Sequence, residues 1–231
     1  MTSGMTATRP SVTGLYVGAS GFAYPSWRGG FYPAGARQGE LLELYAERLP
    51  SVEINNTGYR LPTDGQLGAL AARVPEGFRF AVKMSRRITY GGQFGLAPAF
   101  CRRAQEMGDR LGPVLVQLEE GRERDDEMLA RLLGSLEPGL RYAFEPRHES
   151  WAGVEPVLDE AGIALVGSLE GAARFRYLRL REPPYDDAAL QAWAGRLRPL
   201  LADGIELYVY FKHEDEPTAP AYALRLTELL A

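Results

Sequence analysis

The chain is poor in the residues that make metal and redox sites. It has one cysteine, Cys101, so an internal disulfide is excluded and so is any cysteine-rich metal cluster. A lone thiol in a helical pattern is expected to be buried and inert. Histidine occurs only twice, as His148 and His213. With Glu53, Glu145 and Glu214 they offer a carboxylate/imidazole metal set, but no His-x-x-Glu-His spacing occurs, and nearby lysines would repel a cation. No metal ligand and no cofactor is therefore assigned. No apolar run approaches the ~20 residues of a membrane span, and Met1–Thr13 has no apolar core of the signal-peptide kind. The expectation is a disordered tail over 1–13, one domain over 14–231, and a cytoplasmic location.

Lysine is the most informative shortage. Of 26 basic residues, only Lys83 and Lys212 are lysine. Acidic residues outnumber basic ones and the net charge is −4, which disfavours non-specific nucleic-acid binding as the main activity. With 231 residues, 45% of them apolar, the chain can bury the core of one large domain.

The hydrophobic pattern alternates strand with helix. Strands are expected over 15–20, 52–55, 78–84, 114–118, 140–145, 163–166, 175–180 and 205–211. Helices are expected over 40–49, 64–73, 98–111, 125–136, 154–161, 187–201 and 220–230. Gly112-Pro113 reads as the break after the third helix. Eight strands alternating with helices imply parallel strands and helical crossovers. The expected fold is a (β/α)8 TIM-barrel-like domain, with an open doubly wound sheet as the alternative. Strands six and seven are too close for a helical crossover, so the fold is expected to be irregular there.

In such a barrel the helix-facing side chains are apolar and their neighbours point inward. Val52 and Ile54 out put Glu53 and Asn55 in. Phe80 and Val82 out put Arg79, Ala81 and Lys83 in. The same alternation turns Gln117, Glu145, Arg147, Arg179, Tyr210 and Lys212 inward. Both lysines and two carboxylates thus gather at the C-terminal strand ends, where barrel enzymes place their sites. Charges of opposite sign buried together offset each other's desolvation, so a joint Glu53/Glu145/Lys83/Lys212/Arg147/Arg179 network is expected.

Glu53 or Glu145 is the candidate general base. Lys83 and Lys212 would supply electrostatic stabilisation or, with a lowered pKa, a Schiff base. Asn55, Gln117, Arg147, Arg179, Tyr210 and His213 are candidate ligand contacts, and His148 is a supporting one. Tyr24, Trp27, Tyr59 and Trp151 are candidate stacking walls, or else a hydrophobic lid. The expected ligand is anionic: phosphorylated, sugar-like or nucleotide-like. The alternatives are a non-catalytic module for an anion or a single nucleic-acid strand, and a barrel whose ionic plug does no chemistry.

Several segments together resemble the YecE-like family, catalogued as domain of unknown function seventy-two. They are Val17-Gly-Ala-Ser-Gly-Phe-Ala-Tyr-Pro-Ser-Trp27, Phe31-Tyr-Pro33, Val52-Glu-Ile-Asn-Asn-Thr-Gly-Tyr-Arg-Leu-Pro62, Phe78-Arg-Phe-Ala-Val-Lys83, Leu111-Gly-Pro-Val-Leu-Val-Gln-Leu118, Glu145-Pro-Arg-His-Glu-Ser-Trp151 and Tyr208-Val-Tyr-Phe-Lys-His-Glu214. The resemblance spans nearly the whole chain and implies a (β/α)8-like barrel. It brings no established reaction. The chain departs from the family pattern at Tyr90, where members often have His, and at Gly58, where a Phe is expected. It departs again at Lys212-His213, where many have Asn-Asn, and at Arg179-Leu-Arg181, which replaces an Arg-Phe-His-Gly segment.

Overall fold

A computed structural model describes residues 12–231. The expected tail, Met1–Thr13, therefore lies almost wholly outside the described residues. Eight strands occur among them: β1 (Leu15–Ala19), β2 (Ser51–Ile54), β3 (Arg79–Lys83), β4 (Leu111–Gln117), β5 (Tyr142–Glu145), β6 (Ala164–Leu165), β7 (Phe175–Leu180) and β8 (Glu206–Phe211). All pair in parallel, in a three-stranded sheet β1-β8-β7 and a five-stranded sheet β2-β3-β4-β5-β6. The fold is α/β with parallel sheets.

Helices between the strands cover the outer faces. They are α1 (Leu41–Ala46), α2 (Asn56–Tyr59), α3 (Gln66–Ala71), α4 (Arg86–Thr89), α5 (Ala97–Gln105), α6 (Asp126–Gly134), α7 (Glu155–Glu160), α8 (Asp187–Ala202) and α9 (Thr218–Leu230). Local chemistry sets their starts. Asp125 and Asp186 each accept a hydrogen bond, at 2.8 Å, from the third residue beyond, Met128 and Ala189. The one-turn helices α2 and α4 carry no apolar period and were legible only as loop. Between β6 and β7 the chain makes turns and bends without a helix, as the short spacing required.

One boundary differs from the sequence pattern in a revealing way. Gly112 and Pro113 do not precede β4; they lie inside it. Phe80 pairs with Leu111 and Val82 with Val114, so two steps on β3 face three on β4. This bulge absorbs a proline that has no N–H to give a ladder.

The period-2 alternation sorts the strand side chains into two cores. Val52, Ile54, Phe80, Val82, Val114, Val116, Tyr142 and Phe144 join the large core under the helices. A second, smaller core lies between the sheets. Ala81, Leu115, Ala143 and Ala164 come from the five-stranded sheet, and Phe175, Tyr177, Tyr208 and Tyr210 from the three-stranded one. Three alanines and a leucine on one sheet thus receive large rings from the other, which fills the interior closely.

The sheets also meet at their edges. The Tyr45 hydroxyl accepts from the Ala19 N–H at 2.7 Å and donates to the Ser51 carbonyl at 3.0 Å. A Cβ on Gly18 would lie 1.9 Å from that carbonyl, so only glycine permits the approach. At the other edge the Gly167 N–H donates to the Tyr177 carbonyl at 2.9 Å.

Candidate functional site

The C-terminal ends of β2, β3, β4, β5 and β7 deliver Glu53, Lys83, Gln117, Glu145 and Arg179 to one place. Register accounts for part of this: Gln117 pairs with Glu145 across β4 and β5. Arg179 organises the group. Its guanidinium reaches Glu53 at 2.9 Å with one nitrogen and Glu145 at 2.7 Å with another. A single buried cation from the three-stranded sheet therefore spans two carboxylates of the five-stranded one.

The two carboxylates differ. Glu53 is wholly buried. Its Oε1 accepts from Ser20 Oγ, Asn55 Nδ2 and Arg179, each at 2.9 Å, and its Oε2 accepts from the Tyr177 hydroxyl at 2.7 Å. Burial opposes its ionisation, but the Arg179 charge and the hydrogen bonds outweigh it, so the carboxyl lies below the usual range. Glu145 keeps 13% of its side chain exposed. Its bonds from Arg179 and from the Gln117 amide both fall on Oε2. Its Oε1 carries no such bond among the described residues.

Lys83 is 5% exposed. Its ammonium donates to the Gln117 carbonyl oxygen, which also accepts from the Tyr90 hydroxyl at 3.2 Å. Among the described residues Lys83 makes no ion pair, because Arg179 occupies both nearby carboxylates. Burial first, then the Arg179 and Arg86 charges, push the amine down to about 8, against the pull of Glu53 and Glu145. Gly58 makes room here: a Cβ on it would lie 3.0 Å from Lys83 Cδ.

The expected six-member network is therefore smaller. Arg147 lies beyond the end of β5, exposed, and among the described residues its ion pair is with Glu120 at 3.5 Å. Lys212 lies beyond β8; its N–H still bonds to Leu180, but its side chain is exposed. Alternation belongs to the paired ladder and does not extend past it.

The aromatic candidates divide similarly. Trp27 and Trp151 are buried, and their indole N–H groups donate to the Glu214 carbonyl at 3.0 Å and the Arg122 carbonyl at 2.8 Å. They pin loops and present no stacking face. Tyr210 is also fully buried, its hydroxyl 2.7 Å from Ser51 Oγ. Tyr59 is 67% exposed. Tyr24 stacks on His213 with centroids 4.4 Å apart. Asn55 and Tyr24 also line a small cleft of about 210 Å³ beside Glu53. The His213 imidazole is held below its usual pKa, by burial first and then by Lys212. His148 accepts from the Ser150 N–H at 3.3 Å, capping a short turn.

Arg86 had no distinguishing signal in the sequence, whereas Tyr177 shares the inward alternation of Arg179. Arg86 lies 4.3 Å over the Tyr59 ring and 5.1 Å from the Tyr90 ring, and its Nε is buried without a partner. Among the described residues no three His, Cys, Asp or Glu side chains gather in a metal-binding arrangement, and no helix is long and apolar enough to cross a membrane.

Parallel sheets that deliver polar groups from the strand C-termini define a broad class of α/β protein. Within it, residues 16–231 match the family model "Protein of unknown function DUF72", and the chain belongs to that family. A DUF72 protein of Enterococcus faecalis is similar at 18% identity, with a TM-score of 0.79 over 94% of this chain and 95% of that one. One of Thermotoga maritima is similar at 21% identity, with a TM-score of 0.71 over 94% and 98%. A glycoside hydrolase family 30 xylanase of Clostridium acetobutylicum shares the fold more distantly, at 10% identity and a TM-score of 0.51 over 98% of this chain and 73% of that one. Comparison with curated proteins finds no match.

Proposed function

We propose that the two sheets close into one (β/α)8-like barrel and that its mouth is the active site of an enzyme acting on a small anionic ligand. The Tyr45 bridge, the Gly167–Tyr177 bond and the shared inner core support closure. The observation that carries the ligand class is an excess of cationic groups. Lys83, Arg86 and Arg179 meet only Glu53 and Glu145, and Arg181 lies within electrostatic reach of Arg179, Arg147 and both carboxylates. A phosphorylated, sugar-acid-like or nucleotide-like molecule would restore the balance. Tyr59 and Arg86 offer it a flat, partly exposed rim.

Glu145 is the general base of this reading. Both of its bonds fall on Oε2 and its side chain is 13% exposed, whereas Glu53 has both oxygens engaged and a lowered pKa, which makes it a poor proton acceptor. Glu53 holds Arg179 in place instead.

Thermal-shift titration with inorganic phosphate, sugar phosphates, nucleoside monophosphates and neutral sugars tests the ligand class. The anions raise the melting temperature, less so at high salt, and Arg86→Met loses the effect. Equal responses to anions and neutral sugars would overturn it. Glu145→Gln should then keep binding and lose turnover of the ligand found. Unchanged chemistry in that variant would remove Glu145 from the role, and binding without turnover in the wild type would leave a binding module.

A further inference from the structure

We propose that Lys83 is a nucleophile that forms a Schiff base with the aldehyde or ketone carbon of an anionic substrate. The inference rests on the reading of the mouth as an anion site and names the reactive group of its substrate.

The geometry makes the case by elimination. A structural lysine buried among carboxylates would hold one of them. Here both carboxylates at the mouth bind Arg179, and Lys83 is left with a neutral amide, the Gln117 carbonyl oxygen. Arginine occupies 24 of the 26 basic positions, yet the buried position at the strand ends whose head group rests on the neutral Gln117 amide is a lysine. Arginine stays protonated and cannot act as a nucleophile, whereas lysine can lose its proton when buried beside other cations. Arg179 and Arg86 are those cations.

Gln117 also sets the amine's direction. Its carbonyl oxygen fixes Lys83, and its amide donates to Glu145. The amine and the candidate base are thus held on the two ends of one side-chain amide. In the step itself the nitrogen lone pair attacks the carbonyl carbon, and the C=O π pair moves to oxygen. A proton passes from nitrogen through Glu145 to that oxygen, giving the carbinolamine. A second proton, from solvent, lets the hydroxyl leave as water while the nitrogen lone pair forms the C=N bond of the iminium. With its amine near 8, about a tenth of Lys83 is unprotonated at pH 7. A solvated lysine near 10.4 would hold only about one part in 2,500 in that form.

The test uses the scarcity of lysine. Wild-type protein is treated at pH 7 with pyridoxal 5′-phosphate or glyceraldehyde 3-phosphate, reduced with borohydride and mapped by peptide mass. The expected result is an adduct on Lys83 at least ten times faster than on exposed Lys212, with a pH–rate midpoint near 8. The Lys83 adduct disappears in Lys83→Arg, whose fold is checked by circular dichroism. Labelling of Lys212 with Lys83 untouched would overturn the proposal, provided that the Lys83 peptide is modified in the urea-unfolded chain. Glycerol 3-phosphate, which has the anion without the carbonyl, separates the two readings. If it slows Lys83 labelling, both stand. If Lys83 labels but the competitor has no effect, the nucleophile stands and the anion site fails. If the competitor raises the melting temperature while Lys83 stays unlabelled, the anion site stands and the nucleophile falls.

Discussion

At the N-terminal ends of the strands, Arg141 meets Glu206 and donates to the Tyr208 hydroxyl at 2.7 Å. Arg79 and Arg110 line the same cleft, of about 560 Å³. At the C-terminal ends, Arg179 meets Glu53 and Glu145. Both ends therefore pair arginine with glutamate, and the N-terminal cleft is larger than the one of about 210 Å³ beside Glu53. The difference is depth. The side chains of Arg141 and Glu206 are 46% and 31% exposed, and those of Arg179 and Glu53 are 6% and 0% exposed. Water screens the first pair and makes it worth little. The second is desolvated, so its members depend on one another and its charges reach Lys83. A cleft's size is a poor guide to chemistry; the desolvated pair is the better one.

Removing the guanidinium at each end breaks the comparison most sharply. Arg179→Met leaves two carboxylates without their cation and should cost about 3–5 kcal/mol in chemical denaturation, whereas Arg141→Met should cost within about 1 kcal/mol. Equal losses would mean that the mouth pair is as solvated as the other. Next come the indoles. Trp151→Phe removes the indole bond to the part-buried Arg122 carbonyl and should cost about 1 kcal/mol without changing ligand-induced thermal shifts. A lost ligand response at full stability would restore Trp151 as a binding wall.

Acid and base limbs separate Glu53 from Lys83. Glu53 has a folded pKa below its unfolded value, so its stabilisation is present above about pH 4.3 and is lost as pH falls through the folded value. Glu53→Gln should flatten that limb. Lys83 gives a slope of the same sign at higher pH. Its folded pKa, about 8, lies below the unfolded one, so between the two the unfolded chain holds the extra proton and stability rises with pH. Denaturation midpoints from pH 8 to 9.5 should climb in the wild type and climb less in Lys83→Met. The smallest effect belongs to the rim: Tyr59→Ala should change stability by at most about 0.5 kcal/mol while weakening anion binding.

Much of this site could be read from alternation. Apolar Val52, Ile54, Phe80, Val82 and Phe144 face the helices, and so Glu53, Lys83 and Glu145 turn the other way. Alternation is a property of a paired strand, so it failed for Arg147 and Lys212, beyond the last ladder residues. Pairing preferences were not legible, because which cation binds which carboxylate depends on depth and on reach across the interior. The buried tryptophans misled for a related reason. Their loop sequences look like a lid, and only tertiary packing decides whether an indole faces solvent or donates inward. Arg86 is one arginine among 24 and lies outside any strand, so neither type nor alternation marked it, whereas Tyr177 falls on the inward side of β7.

The central claim is that Arg179 occupies both carboxylates and leaves Lys83 a buried amine without a countercharge. Two lysines make the direct measurement simple. With lysine labelled at ¹³Cε, NMR gives two side-chain resonances, and Lys212→Arg assigns the one that remains. The account predicts a Lys83 titration centred near 8, moving up in Arg86→Met as a repelling cation is removed. A Lys83 midpoint at the solvated-lysine value of about 10.4, unchanged in Arg86→Met, would contradict it.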